Sequence, residues 1–163
     1  MKRIATLIFC MLFLFCGCGE KKNVKPSLEG VSFDAKISYA GYNCQCSVKA
    51  YGGGNFSCTV KEPAVLKGTQ INYNGEKVTV SFMGMDYEPP LPLPCENITD
   101  ILKTVVESAR NGTGLINPEG HYDITGKTGR YNYTVTVTES GLPVRIVCDE
   151  IKFTAEITNA TVI

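Results

Sequence analysis

Cysteine is the residue type in this sequence with the widest chemical repertoire, and the chain of 163 residues contains eight of them. Three lie near the N-terminus, at Cys10, Cys16 and Cys18, and the others are spread through the rest of the chain. A thiol can be oxidised to a disulfide, can ligate a metal ion, or can be the point where a lipid is attached. The segments that surround each cysteine decide between these three kinds of chemistry.

The N-terminal segment has the composition of a secretory signal. Lys2 and Arg3 give it a positive start, and the apolar run that follows, "IATLIFCMLFLF", is about a dozen residues long, whereas a spanning helix needs roughly 20. At the end of the run stands "FCGC", in which Gly17 is the small residue that a signal peptidase requires before its cut. We therefore predict a signal peptide over residues 1–17, and a short uncleaved anchor is the alternative interpretation.

The stretch "FCGC" resembles the lipobox of bacterial lipoproteins, and Cys18 matches the acceptor cysteine of that motif. Cys16 fits less well, because Phe15 would occupy the small position before it. The resemblance implies lipid attachment at Cys18, and two acyl chains anchor a protein stably where one is marginal. We expect the mature chain at the extracytoplasmic face of the bacterial cell membrane, with the polar, non-periodic stretch 18–30 as a lipidated tether.

Five cysteines remain once the leader and the lipid site are set aside. They are Cys44, Cys46, Cys58, Cys95 and Cys148. An odd number cannot pair completely within one chain, and neither paired C-x-x-C motifs nor a second histidine beside His121 suggests a metal site. If "GGG" at 52–54 is a hairpin loop, Val48 lies opposite Cys58 and Cys46 is diagonal to it. A Cys46–Cys58 disulfide is therefore an open alternative to two buried thiols.

Beyond residue 30, apolar and polar residues alternate in one segment after another, which is typical of strands with one buried face. The parity changes after Gly41, which suggests a bulge. Asn74-Gly75 predicts a hairpin with a type I′ turn, because these residues tolerate positive φ angles. The prolines of "EPPLPLP", residues 88–94, exclude a central strand and predict an extended crossing segment.

One segment changes to a period of 3.6 residues. In "NITDILKTVVESARNG", residues 97–112, Asn97 can cap the start of a helix and Gly112 its end. The apolar positions that fall on one helical stripe are Ile98, Ile101, Leu102, Val105, Val106 and Ala109. The sequence therefore predicts one amphipathic helix among strands.

The sizes of these elements decide the architecture. About nine strands at about 4.8 Å spacing make a sheet on the order of 40 Å wide, whereas a helix of about 14 residues is roughly 21 Å long and 10 Å across. One helix cannot cover a flat sheet of that width, so the sheet must curl around it. We predict a mainly β (α+β) domain over residues 31–163, a curled antiparallel sheet or unclosed β half-barrel with one covering α-helix.

Three segments of this pattern resemble the LolA-like superfamily of lipoprotein carriers and related envelope lipoproteins. They are "GGGNFSCTVKEPAVL", "INYNGEKVTVSF" and "GRYNYTVTVTESGLPVRI", and the resemblance spans most of residues 31–158. Gram-positive members include envelope lipoproteins of sporulating bacteria, some of them linked to germination. The resemblance implies an unclosed barrel around a cavity for acyl chains. A lipid on Cys18 would immobilise the chain, so a fixed binder is expected rather than a roving carrier.

The sequence favours binding over catalysis. It has no G-x-S-x-G, no H-E-x-x-H and no phosphate-binding glycine loop, so neither an enzyme nor a cofactor is expected. Without Lys2 and Arg3 the net charge is 14 − 16 = −2, which argues against nucleic acid. The first hypothesis is an apolar ligand such as lipid, with candidate lining residues Phe82, Ile101, Val105, Tyr131 and Tyr133. The alternative is a lipoprotein that holds another envelope protein through its curved sheet or its proline-rich segment.

Overall fold

The computed structural model describes residues 24–89 and 98–163. Within them, eleven strands form one antiparallel sheet that is accompanied by one α-helix, α1 (Ile98–Ala109). The strands are β1 (Val31–Tyr39), β2 (Tyr42–Ala50), β3 (Phe56–Glu62), β4 (Gln70–Tyr73), β5 (Val78–Phe82), β6 (Met85–Tyr87), β7 (Leu115–Ile116), β8 (Tyr122–Lys127), β9 (Asn132–Val137), β10 (Pro143–Cys148) and β11 (Phe153–Val162). The predicted fold class is confirmed. Cys18, Cys95 and the proline-rich segment from Pro90 onward lie outside the described residues.

The sheet consists of two meanders joined at their centre. Its order is β6-β5-β4-β3-β2-β1-β11-β10-β9-β8-β7, so β1 and β11 form the central pair. The N–H of Ile163 donates to the carbonyl oxygen of Gly30 over 2.7 Å, which brings the two ends of the domain together where β1 begins. Because the strand order is linear, β6 and β7 are the two edges and the half-barrel is unclosed.

The parity change at Gly41 is a hairpin turn, so the predicted bulge was wrong. β1 ends at Tyr39, β2 begins at Tyr42, and the two strands pair directly. Ala40 and Gly41 form the turn with φ angles of 50° and 86°. The prediction failed because a two-residue turn and a one-residue bulge change the alternation of apolar and polar residues in the same way. In addition, Ala-Gly is not the Asn-Gly or Asp-Gly sequence that is typical of a tight hairpin.

Two further hairpins form where the sequence predicts them. β2 and β3 pair across the short 3₁₀ turn Gly52–Gly54 with Val48 opposite Cys58, as expected. β4 and β5 also pair, but their loop has the residues 74–77 rather than a two-residue type I′ turn. The side-chain oxygen of Asn74 stabilises that loop by accepting hydrogen bonds from the N–H groups of Glu76 (3.1 Å) and Lys77 (2.9 Å).

The helix α1 packs on the inner face of the sheet. The stripe residues Ile101, Leu102, Val105 and Ala109 have no exposed surface. The ring of Tyr133 covers Gly126 on the neighbouring strand, where a Cβ would lie 2.2 Å from the tyrosine oxygen. That hydroxyl donates to Ser108 on α1 over 3.1 Å and so joins the helix to β9. No helix in the described part of the chain is long and apolar enough to cross a membrane.

The outer face carries a polar row that crosses the sheet in register. The row consists of Glu62, Gln45, Lys36, Glu156, Arg145, Thr136 and Asp123. Glu156 stands directly opposite Lys36 on one side and Arg145 on the other, and opposite charges in such pairs contribute roughly 0.2–1 kcal/mol each. The apolar core therefore lies on the inner side of the sheet, against α1.

Candidate functional site

The sheet has two ends, which are defined by the loops that join its strands. The proximal end, where β1 begins, holds the β2–β3 loop (51–55), the β4–β5 loop (74–77) and the β9–β10 turn (138–142). The distal end holds the β1–β2 turn (40–41), the β3–β4 loop (63–69) and the β5–β6 turn (83–84). Residues 24–30, the entry segment, bring the chain to the proximal end.

The entry segment packs against the domain. Leu28 is 3% exposed, and Val24 and Pro26 are buried as well. The N–H of Ser27 donates to the carbonyl oxygen of Gly141 over 2.8 Å. Gly141 has a φ of +84°, and a Cβ there would lie 2.3 Å from the Lys25 carbonyl oxygen, so glycine is required. Residues 24–30 of the predicted tether 18–30 therefore pack on the domain.

A cavity of about 240 Å³ opens between the entry segment, the β2–β3 loop and α1; we call it the helix cavity. Buried apolar side chains from the entry segment, from the ends of β2 and β3 that flank the loop, and from α1 line it, namely Leu28, Ala50, Phe56 and Val106. Its charged lining residues are Glu29, Lys103, Glu107 and Arg110. The helix cavity therefore has an apolar floor and a charged rim, which is an arrangement that suits an amphiphile.

The rim holds two cations and two carboxylates in close contact. The Nη2 of Arg110, the residue that follows α1, lies 2.7 Å from the Oε2 of Glu29 and so joins the end of the helix to the entry segment. The Nζ of Lys103 lies 3.7 Å from the centre of the Tyr73 ring and 4.0 Å from the Oε1 of Glu107. All four charged side chains are partly exposed, so an incoming anionic group can compete with the carboxylates for either cation.

The five lining residues predicted from the sequence lie outside the helix cavity. Ile101, Val105, Tyr131 and Tyr133 are buried together in the core, and Phe82 is half-buried at the distal end of β5. A ligand could touch the four core residues only if their packing against the sheet opened. Their contact with a ligand stays a prediction.

Three of the later cysteines form a group on β2 and β3. Cys46 and Cys58 are buried, Cys44 is half-buried, and all three are free thiols. The Cys46 thiol donates a hydrogen bond to Cys58, and this bond together with burial raises the pKa of Cys46 above its ordinary value. Burial likewise raises the pKa of Cys44. Accepting that bond lowers the pKa of Cys58, against the opposite effect of burial. Cys46 and Cys58 are thus free, hydrogen-bonded thiols in the structure rather than the alternative disulfide.

Leu28, Lys103 and Arg110 are site residues that periodicity does not reveal. The helical stripe identifies the packed side of α1, whereas Lys103 lies beside the stripe and Arg110 follows the helix. One signal was present in the sequence, because Val24, Pro26 and Leu28 alternate with polar residues, as an extended segment does when one side packs. So short an alternation next to a leader looks the same as a linker.

These observations define a class of protein: an unclosed antiparallel half-barrel with a helix on its inner face and a cavity at one end. No family model and no curated protein sequence match the chain. Among solved structures, it is similar to an uncharacterized conserved protein from Thermus thermophilus, with 12% identity over 84% of this chain and 80% of that chain and a TM-score of 0.54. It is also similar to a LolA superfamily protein from Nitrosomonas europaea, with 12% identity over 86% and 89% of the two chains and a TM-score of 0.47. At such identities the likeness shows the fold alone.

Proposed function

We propose that the chain is a membrane-anchored, extracytoplasmic lipoprotein that binds an apolar ligand such as lipid and performs no catalysis. The observation that carries this proposal is the helix cavity, which combines a buried apolar floor with an ion-paired rim. It lies at the proximal end of the sheet, where the chain arrives from Cys18. A ligand released by the membrane would therefore meet the cavity first.

The size of the helix cavity suits one end of an acyl chain. Its volume of about 240 Å³ is below the roughly 300–1,000 Å³ of pockets that enclose a whole drug-sized ligand. Each methylene that becomes buried against Leu28, Phe56 or Val106 contributes about 0.8 kcal/mol. The head group would remain at the rim, where Arg110 and Lys103 can donate hydrogen bonds to a phosphate or a carboxylate.

The proposed anchor keeps the cavity near the membrane. Six peptide steps separate Cys18 from Val24, and each spans at most about 3.6 Å. The lipidated sulfur would thus lie within about 22 Å of the point where the chain joins the domain. Two acyl chains at Cys18 would hold it there stably.

A photoactivatable fatty acid tests the helix cavity in the full chain. Cells that make the protein are given palmitate with a diazirine, irradiated, and the adducts are mapped by mass spectrometry. We expect adducts on residues 26–29 and 103–110, and about fivefold fewer of them in Val106→Trp, whose indole fills the floor, a change of about 1 kcal/mol in binding. Val162→Trp, the same change at a residue 70% exposed, is the matched control and should label like the parent chain. Equal labelling of the two variants would contradict the proposal.

The anchor is tested separately by Cys18→Ser. We expect this variant to carry no lipid on its N-terminus and to keep its leader, as read from the mass of the intact chain. Cys16→Ser is the matched control and should be processed and lipidated like the parent. A Cys18→Ser chain with the parent's mass and lipid label would remove the anchor from the proposal.

A second candidate function is a lipoprotein that supports another envelope protein, in sporulation or germination if the LolA-like resemblance extends to this chain. The observation that favours it is a group of exposed apolar side chains at the distal end of the sheet, the end opposite the helix cavity. The two functions are compatible, because they use different ends of the domain.

A further inference from the structure

The distal end of the sheet exposes a row of large apolar side chains, which we call the distal patch. Its members are Tyr42 (80% exposed), Val65 (75%), Leu66 (46%), Met83 (83%) and Met85 (67%). They lie at three successive turns of neighbouring strands, from β1–β2 through β3–β4 to β5–β6. With strands about 4.8 Å apart, the row spans about 19 Å from β2 to β6. Exposed apolar surface on this scale is typical of an interaction site.

Met83 is held in a backbone conformation that its side chain does not favour. Its φ is +51°, next to Gly84 at +78°, in a turn where Asn or Gly is the usual residue. The left-handed region destabilises a residue with a Cβ by about 1–2 kcal/mol. Because the Met83 side chain is 83% exposed, its packing offsets little of this cost. A strained residue that presents a large apolar side chain to solvent is an outlier that points to a function.

A second cavity, of about 360 Å³, adjoins the distal patch and opens on the outer face. Its apolar lining includes Cys44 and Pro63, and Pro63 belongs to the same loop as Val65. The charged residues that line it are Glu62, Glu156 and Lys36. Glu156 stands between Lys36 and Arg145 in the sheet, whereas Glu62 faces the neutral Gln45. An apolar wall beside the Glu62 carboxylate suits the aliphatic stem and charged head of a lysine or arginine.

We propose that the distal patch and this second cavity together form the docking surface for an extracytoplasmic protein. The partner covers Val65 and Met83 with apolar side chains and places a lysine or arginine side chain beside Glu62. Buried apolar anchors with a charged contact beside them are the usual composition of an interface hot spot.

The occupant is a protein rather than the membrane that holds Cys18, and this step rests on the anchor of the proposed function. The chain from Cys18 to Val24 reaches at most about 22 Å. The nine residues of β1 separate the two ends of the sheet by about 30 Å. A domain that stood with its distal end on the anchoring membrane would therefore need a longer tether than residues 18–24 provide.

Site-specific photo-crosslinking in cells that make the full chain tests this surface. Benzoylphenylalanine replaces Val65, Met83 or, as a proximal control of similar exposure, Val162 (70%). We expect one and the same extracytoplasmic protein to be crosslinked from positions 65 and 83 and not from 162. Glu62→Gln should lower that yield about tenfold, which corresponds to about 1.4 kcal/mol. Crosslinks to lipid alone, to a second copy of the chain alone, or at the yield of position 162 would overturn the proposal.

Met83→Asn separates docking from folding. Asparagine suits the left-handed turn, so the variant should unfold at a higher temperature while crosslinking from position 65 falls about tenfold, or about 1.4 kcal/mol. Ala40→Asn is the matched control, because it relieves the same strain at the same end (φ 50°) without removing a large apolar side chain. Its stability should rise and its crosslinking should not change. Loss of crosslinking in both variants, or in neither, would contradict the role of Met83.

Failure of the proposed function gives a different result from failure of the docking surface. If Cys18→Ser keeps its lipid, the proposed anchor is wrong, and if the helix cavity takes no fatty acid, the proposed ligand is wrong. In either case the protein crosslinks from positions 65 and 83 still test the docking surface. If the anchor and the ligand are both found but those positions crosslink no protein, only the docking surface is overturned.

Discussion

The proximal and distal ends of the sheet carry similar side chains in opposite circumstances. At the proximal end Leu28 and Phe56 are 3% and 4% exposed, in a region where the entry segment and α1 meet the β2–β3 loop. At the distal end Leu66 and Met83 are 46% and 83% exposed, and no segment of the described chain buries them. These residues are therefore covered by other segments at the proximal end and open to solvent at the distal end, where we propose docking. Val162, on β11, is exposed at the proximal end as well.

The backbone differs between the two ends in the same sense. At the proximal end the left-handed turn position is taken by Gly141, at a point where two segments touch. At the distal end Ala40 and Met83 take such positions in open turns. A glycine at the proximal end serves close packing, whereas the distal turns accept strain that brings no gain in packing. Gly141 thus holds the entry segment against the domain, whereas Ala40 and Met83 keep an unfavourable φ in open turns.

The largest difference in stability between the two ends is expected when leucine is replaced by alanine at each of them. Leu28→Ala should lower the free energy of unfolding by about 3 kcal/mol, because it removes a buried side chain and enlarges the helix cavity. Leu66→Ala, at a half-exposed distal position, should lower it by less than about 0.5 kcal/mol. Urea unfolding of the full chain in a mild detergent measures both. Equal losses would show that the distal loop is as much part of the core as the entry segment.

A glycine pair gives a second, smaller contrast. Gly141→Ala should cost about 2–3 kcal/mol, because its Cβ meets the Lys25 carbonyl oxygen at 2.3 Å in addition to the unfavourable φ. Gly41→Ala has the unfavourable φ of +86° but nothing within 4 Å of the new Cβ, so it should cost only about 1 kcal/mol. Thermal unfolding of the two variants measures the difference, which is the contribution of the close contact itself. A loss in Gly141→Ala no larger than in Gly41→Ala would mean that the entry segment is not held tightly there.

A substitution of Asp34 on β1 tests the polar outer face of the sheet, which lies between the two ends. Hydrogen bonds from Lys61, Ser47 and Asn159 lower the pKa of Asp34 to about 2 from 3.8. A lowered pKa stabilises the folded state fully above the unfolded value, and this contribution is lost as the pH falls from about 4 to about 2. Because the side chain is 34% exposed, solvent reduces the effect to about 1 kcal/mol. Asp34→Asn should therefore be less stable than the parent by about that amount at pH 7 and equally stable near pH 2. A difference that did not change with pH would show that the charge is not responsible.

The sequence predicted most of the fold because burial on one side of a strand is recorded locally. The alternation of Tyr133, Val135 and Val137 with polar residues is visible without any partner strand, and all three are buried as expected. The strands β6 and β7 were not predicted from the sequence, because they have only three and two residues. Their existence depends on pairing with a neighbour, which no local pattern records.

The candidate site could not be predicted in the same way. The helix cavity exists because Leu28, Phe56 and Val106 meet from distant parts of the chain. Alternation identifies an inward side chain such as Tyr133, but it cannot tell a packed interior from an open one. The difference depends on how α1 and the entry segment lie over the sheet, and that is a property of tertiary packing. The Met83 turn was missed for a related reason, since Met-Gly is not a usual turn sequence.

The smallest effect on stability is expected at the rim of the helix cavity, at the proximal end. Glu29→Gln leaves the shape of the side chain unchanged but removes the charge that pairs with Arg110, and both side chains are more than a third exposed. Such pairs contribute about 0.5 kcal/mol at low salt, and 1 M salt should abolish the difference because the screening length falls to about 3 Å. Glu88→Gln, in the exposed Lys77–Glu88 pair away from the entry segment, is the matched control for general charge effects. If Arg110 is held by Glu29 until an anionic head group replaces it, Glu29→Gln should also raise fatty acid labelling of the helix cavity, and Glu88→Gln should not. Increased labelling without a measurable loss of stability would separate the binding role of this ion pair from its structural one.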